Sequence, residues 1–208
     1  MNTKPNKNLA PKIRKLAETA RELRQTKYAL SITRLTSLKS LCQEADVAAN
    51  FALYIAKLAV KQMESSQSTR SFLGEEAWTE HSQLINKVVE QMEDYIKQPT
   101  LENRQNLKNL LLQLEQIQGW KKDIKFGGNI RVINNKYALI IEDGLRCITS
   151  SDFPYWSYQL ARDYAECYDP SCGTGLTSES ASLVEEIAEF WCHYYFGKTL
   201  IEKFPENT

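Results

Sequence analysis

Apolar positions recur at three- and four-residue intervals through the first half of the chain, the spacing that puts them on one face of a helix. Leu9, Ile13, Leu16, Ala20 and Leu23 form one such stripe, with Pro11 near its start, where a missing N–H is tolerated. Tyr28, Ile32, Leu35, Leu38 and Cys42 form a second stripe rotated from the first, and Arg24 and Lys27 fall on the first stripe's face. The helix therefore breaks or changes its packing partner near Gln25–Thr26. Ala45 to Met63 is apolar nearly all round, which predicts a helix surrounded by others at the centre of a bundle. Ser65 to Ser71 reads as a loop. Gly74 precedes a helix carrying Trp78, Ile85, Val88 and Met92, which Pro99 ends; Thr100 opens another through Leu107, Leu110, Leu114 and Ile117, with Gly119 as its C-cap.

After Gly127–Gly128 the period changes from 3.6 to 2. Asn129 to Ile133, then Tyr137, Leu139 and Ile141, then Leu145 to Thr149 are separated by Asn134–Asn135 and Asp143–Gly144, residue pairs suited to two-residue hairpin turns. That pattern predicts a three-stranded antiparallel β-meander, too small to stand alone and so packed on two C-terminal helices, Pro154 to Tyr168 and Ser178 to Phe204. The expected fold is mainly α: a bundle of four or five helices over residues 9–119, then the meander and the aromatic-rich helices over 120–208, as one continuous domain. Residues 1–8 are expected to be a flexible start.

The 208 residues are 42% hydrophobic and 25% charged, ordinary material for a folded core. No run of about 18 apolar residues occurs, so no membrane partner is expected. Five cysteines, an odd number, and no apolar leader point to a soluble protein of a reducing compartment, the cytoplasm or an organelle stroma.

Charge changes the picture more than composition does. The net charge is zero, yet residues 1–42 carry ten Lys or Arg against two Glu, and residues 150–208 carry three against ten Asp or Glu. The two ends neutralise each other, a second copy, or another partner. The basic patch is Arg14, Lys15 and Arg21, which share their face with Glu18 and Glu22 as on a solvated helix. It suits an acidic protein surface first and nucleic acid second, since no zinc finger or RNA-binding aromatic motif accompanies it.

Other residue groups carry less. Cys167, Cys172, Cys192 and His193 lack the paired spacing of a zinc site, and no metal is expected. Gly173-Thr174-Gly175 before a helix lacks the lysine or third glycine of a nucleotide loop, so no cofactor is expected. With two histidines and no nucleophile elbow, the chain presents no catalytic residues. Of its 21 aromatic residues, 12 lie between Phe153 and Phe204, too many for one buried stripe. Trp156, Trp191, Tyr194 and Tyr195 are accordingly the candidate protein-binding residues. The function class expected from these features is a non-catalytic protein-binding adaptor, assembly or regulatory factor, using an aromatic, acidic C-terminal surface and a basic N-terminal helix. The alternative is a nucleic-acid-binding protein using that helix.

Overall fold

The computed structural model describes residues 9–65, 67, 70–71, 74–116, 121–126, 129–134, 136–166 and 175–205. They are mainly helical and divide into two compact units: segments Met1–Gln43 and Ala161–Thr208 together make one, and Glu44–Leu160 makes the other.

In the first unit, helix α1 (Leu9–Gln25) buries Leu9, Ile13, Leu16, Ala17, Ala20 and Leu23, the stripe expected from its periodicity. That face packs on helix α8 (Ala181–Phe196), whose Leu183, Val184, Ile187, Ala188 and Trp191 are buried in return. The second stripe does not continue the helix. The chain leaves α1 through a two-residue strand, β1 (Leu30–Ser31), a 3-10 turn (Ile32–Leu35) and the short helix α2 (Leu38–Leu41), burying Leu35, Leu38 and Leu41. β1 pairs antiparallel with β4 (Gly175–Leu176), Ser31 opposite Gly175. A Cβ at Gly175 would lie 2.8 Å from the Leu30 carbonyl oxygen, so only glycine permits this approach.

The expected C-terminal helix is divided. A 3-10 turn (Ser178–Ser180) leads into α8, and Gly197, at φ 61°, ends it with its N–H on the His193 carbonyl at 2.8 Å. Thr199 then caps helix α9 (Leu200–Lys203), exchanging hydrogen bonds with Glu202.

In the second unit, helix α3 (Ala45–Ser65) is central, packing against α4 (Glu75–Lys97) and α6 (Lys136–Thr149) and burying Phe51, Ile55, Ala56, Ala59 and Met63. Helix α5 (Leu101–Gln116) lies on α4 and α6 through Leu107, Leu110 and Leu114. Its Arg104 donates to the carbonyls of Ile148 and Thr149, satisfying acceptors that the end of α6 leaves open. Ser65 belongs to α3, and Gln67, Arg70 and Ser71 are helical as well, which corrects the loop expected there.

The β-meander is the main correction. Strand β3 (Asn129–Asn134) coincides with its first strand, but β3 pairs backwards with β2 (Lys121–Phe126), Phe126 opposite Asn129, to give a two-stranded antiparallel hairpin. The two segments expected as further strands form α6 instead. Tyr137, Leu139 and Ile141 alternate, but Tyr137, Ile140, Ile141, Leu145 and Ile148 also satisfy helical spacing, and all five are buried. Gly144 is not a turn residue: it sits within α6 where that helix meets Ala52 and Met92. The helix expected from Pro154 is α7 (Phe153–Glu166). Residues 1–8, Gly119, Gly127–Gly128, Cys167 and Cys172 lie outside the described residues.

Candidate functional site

Along α1, positions 14, 18, 21 and 25 follow one another at three- and four-residue intervals and so share a face, distinct from the buried stripe. Arg14, Glu18, Arg21, Arg24 and Gln25 form one wall of a groove in the first unit; Lys203, Phe204 and Pro205 form the other, around a volume of about 690 Å³. The second wall exists because α8 stops at Gly197. The chain reverses there, Leu200 donates its N–H to Glu189 at 2.9 Å, and the buried Leu200 and Phe204 fix α9 in place.

Contacts around the Phe204 backbone and ring organise the cations. The Arg14 guanidinium lies over the Phe204 ring at 5.2 Å, and Arg21 donates to the Phe204 carbonyl at 3.4 Å. Arg24 pairs with Glu185 of α8. Lys203 stands over the Phe196 ring at 4.5 Å. Beyond the groove, Arg34 pairs with Glu22 at 2.9 Å. Among the described residues, the lining thus sets Arg14, Arg21, Arg24 and Lys203 against Glu18, without His, Cys or Ser.

Of the basic patch, Arg14 and Arg21 meet at this groove, whereas Lys15 is exposed and is not among its lining residues. Arg24, Lys203 and Phe204 did not emerge from sequence reasoning. Arg24 looked like part of the apolar stripe, but α1 ends one residue later, so it lies past the buried Leu23. Lys203 and Phe204 are distant in sequence, and no local pattern links them to α1.

The aromatic candidates occupy different settings. Trp191 is fully buried and stacks on Tyr195, with centroids 5.8 Å apart and planes 17° apart. Tyr195 is half-buried and donates its hydroxyl to the Leu41 carbonyl. Tyr194 is 39% exposed and stacks on Phe190 at 5.7 Å. Trp156 belongs to the second unit, half-buried under the Arg146 guanidinium at 4.7 Å, which also pairs with Glu142.

Two titrating groups border α9. Burial, reinforced by Glu189, pushes the Cys192 thiol up to about 11, keeping it neutral; it lies 3.5 Å from the Thr199 carbonyl. The Glu202 carboxyl is lowered by the backbone and hydroxyl of Thr199. Among the described residues, no group of three or more His, Cys, Asp or Glu side chains is gathered to hold a metal. No helix among them is long and apolar enough to cross a membrane. No family model, curated protein or solved structure matches the chain.

Proposed function

We propose that the protein acts by binding another protein, as a non-catalytic adaptor, assembly or regulatory factor, and that the basic groove of the first unit makes the contact. The observation that carries this reading is the groove's composition. Guanidinium and ammonium groups predominate there and are anchored by Phe204, Phe196 and Glu185. Guanidinium forks match carboxylates in plane, and anchoring them beforehand lowers the entropy lost on binding. A buried Trp191 serves packing in this reading, and Tyr194 is the candidate ring left to take part in a contact.

The test is recovery of a partner from the native host by the full chain and by an Arg14→Ala/Arg21→Ala variant. An acidic protein is expected with the unmodified chain and its loss with the variant, while nucleic-acid retention stays at background in both. Tight RNA or DNA binding that weakens steeply with salt would replace this reading with the nucleic-acid one.

A further inference from the structure

The groove wall on α1 alternates in sign, and that alternation says more about an occupant than its net positive charge does. Arg14, Glu18 and Arg21 follow one another along one face, with Arg24 beyond. At about 1.5 Å of rise per residue, Glu18 stands about 6 Å along the axis from Arg14; Arg21 stands about 10.5 Å and Arg24 about 15 Å from it. An extended peptide places alternate side chains on one side at intervals of about 6.7 Å. Three such side chains in a row therefore span about 13 Å, which falls between the Arg14–Arg21 and Arg14–Arg24 separations.

Resting on the protein-binding reading above, we infer that the groove takes an extended partner segment of the pattern acid–x–base–x–acid, its carboxylates meeting Arg14 and Arg21, with the Arg24–Glu185 ion pair beyond, and its central cation meeting Glu18. Arg14 supports the first contact because its guanidinium, held over the Phe204 ring at 5.2 Å, carries N–H donors that suit a carboxylate. Glu18 supplies the discrimination: a like charge opposite it is disfavoured, so the wall selects against an uninterrupted acidic run. The same feature disfavours a nucleic-acid strand, whose uniformly spaced phosphates would put an anion against Glu18. Phe204, only 6% exposed beneath Arg14, offers no open ring for base stacking.

Fluorescence anisotropy of the full chain at low salt tests this with three labelled probes: the peptide Gly-Asp-Gly-Lys-Gly-Asp-Gly, its counterpart with Glu in place of Lys, and a single-stranded oligothymidylate. The alternating peptide is expected to bind about tenfold more tightly than the all-acidic one, and Arg14→Ala/Arg21→Ala to weaken it about tenfold. Glu18→Lys should reverse the order of the two peptides. A misfolded variant would weaken both, so the reversal separates recognition from loss of structure. Equal binding of the two peptides, or no binding of either, overturns the pattern. If the arginine-dependent recovery of a protein partner persists in that case, the binding reading stands without it. Oligothymidylate binding more tightly than both peptides overturns the two together.

Discussion

Trp191 and Tyr194 are three residues apart on α8 and have opposite surroundings, so they separate support of the fold from contact with a partner. Trp191→Ala removes a fully buried ring stacked on Tyr195 and is expected to cost about 3–5 kcal/mol in urea unfolding. Tyr194→Ala, at a ring 39% exposed, is expected to cost less than about 1 kcal/mol, and any larger effect it has should appear in partner binding. Cys192 gives a pH signature at the same scale. Its thiol titrates near 11 in the folded chain against 9.0 for an ordinary cysteine, so between those values the folded state holds the extra proton. Its contribution to stability is complete below about pH 9 and is lost as pH rises toward about 11. Unfolding measured at about pH 8.5 and 10.5 should show a smaller loss of stability in Cys192→Ala than in the unmodified chain.

At the scale of elements, Gly144 decides between two readings of one segment. In a hairpin, Asp143–Gly144 would need glycine for a positive φ, and alanine would be destabilising. In α6 the added methyl meets the Met92 Cε at 3.6 Å and the Ala52 carbonyl oxygen at 3.8 Å, ordinary contacts. Alanine also favours a helix by up to about 1 kcal/mol over glycine. Gly144→Ala is thus expected to raise the thermal midpoint slightly, and a fall of several degrees would speak for the turn. The segment misleads because Tyr137, Leu139 and Ile141 fit period 2 over five residues, and only the longer run to Ile148 reveals period 3.6. The one-sided stripes of α1 and α4 and the apolar girth of α3 were legible for the converse reason: each extends over four turns or more. β2, with its sequence Lys-Lys-Asp-Ile-Lys-Phe, offers no apolar alternation to read. Half of the groove was legible as the cationic face of α1; the other half depends on α9 returning to it, which only tertiary structure supplies.

At the scale of the molecule, the charge asymmetry is met within the first unit. The basic helix α1 packs on the acidic helix α8, and Arg24 pairs with Glu185. Both partners are substantially exposed, so the pair contributes at most about 1 kcal/mol; apolar burial holds the helices together, and the charges set which surfaces stay cationic. This unit is made of two segments distant in sequence, whereas Glu44–Leu160 is continuous, and the two should differ when cut out. In residues 1–43 alone, Ile13, Leu16, Ala20 and Leu23 lose α8, and a 17-residue helix without a partner is marginal in water. In residues 44–160, α3 keeps α4 and α6 against it. Circular dichroism of the separate fragments is expected to find 44–160 helical with a cooperative melt and 1–43 unstructured, the latter gaining helix only when mixed with 161–208. A helical 1–43 fragment at low concentration, or a 44–160 fragment without a cooperative transition, would show that the cohesion of each unit lies elsewhere than in these buried faces.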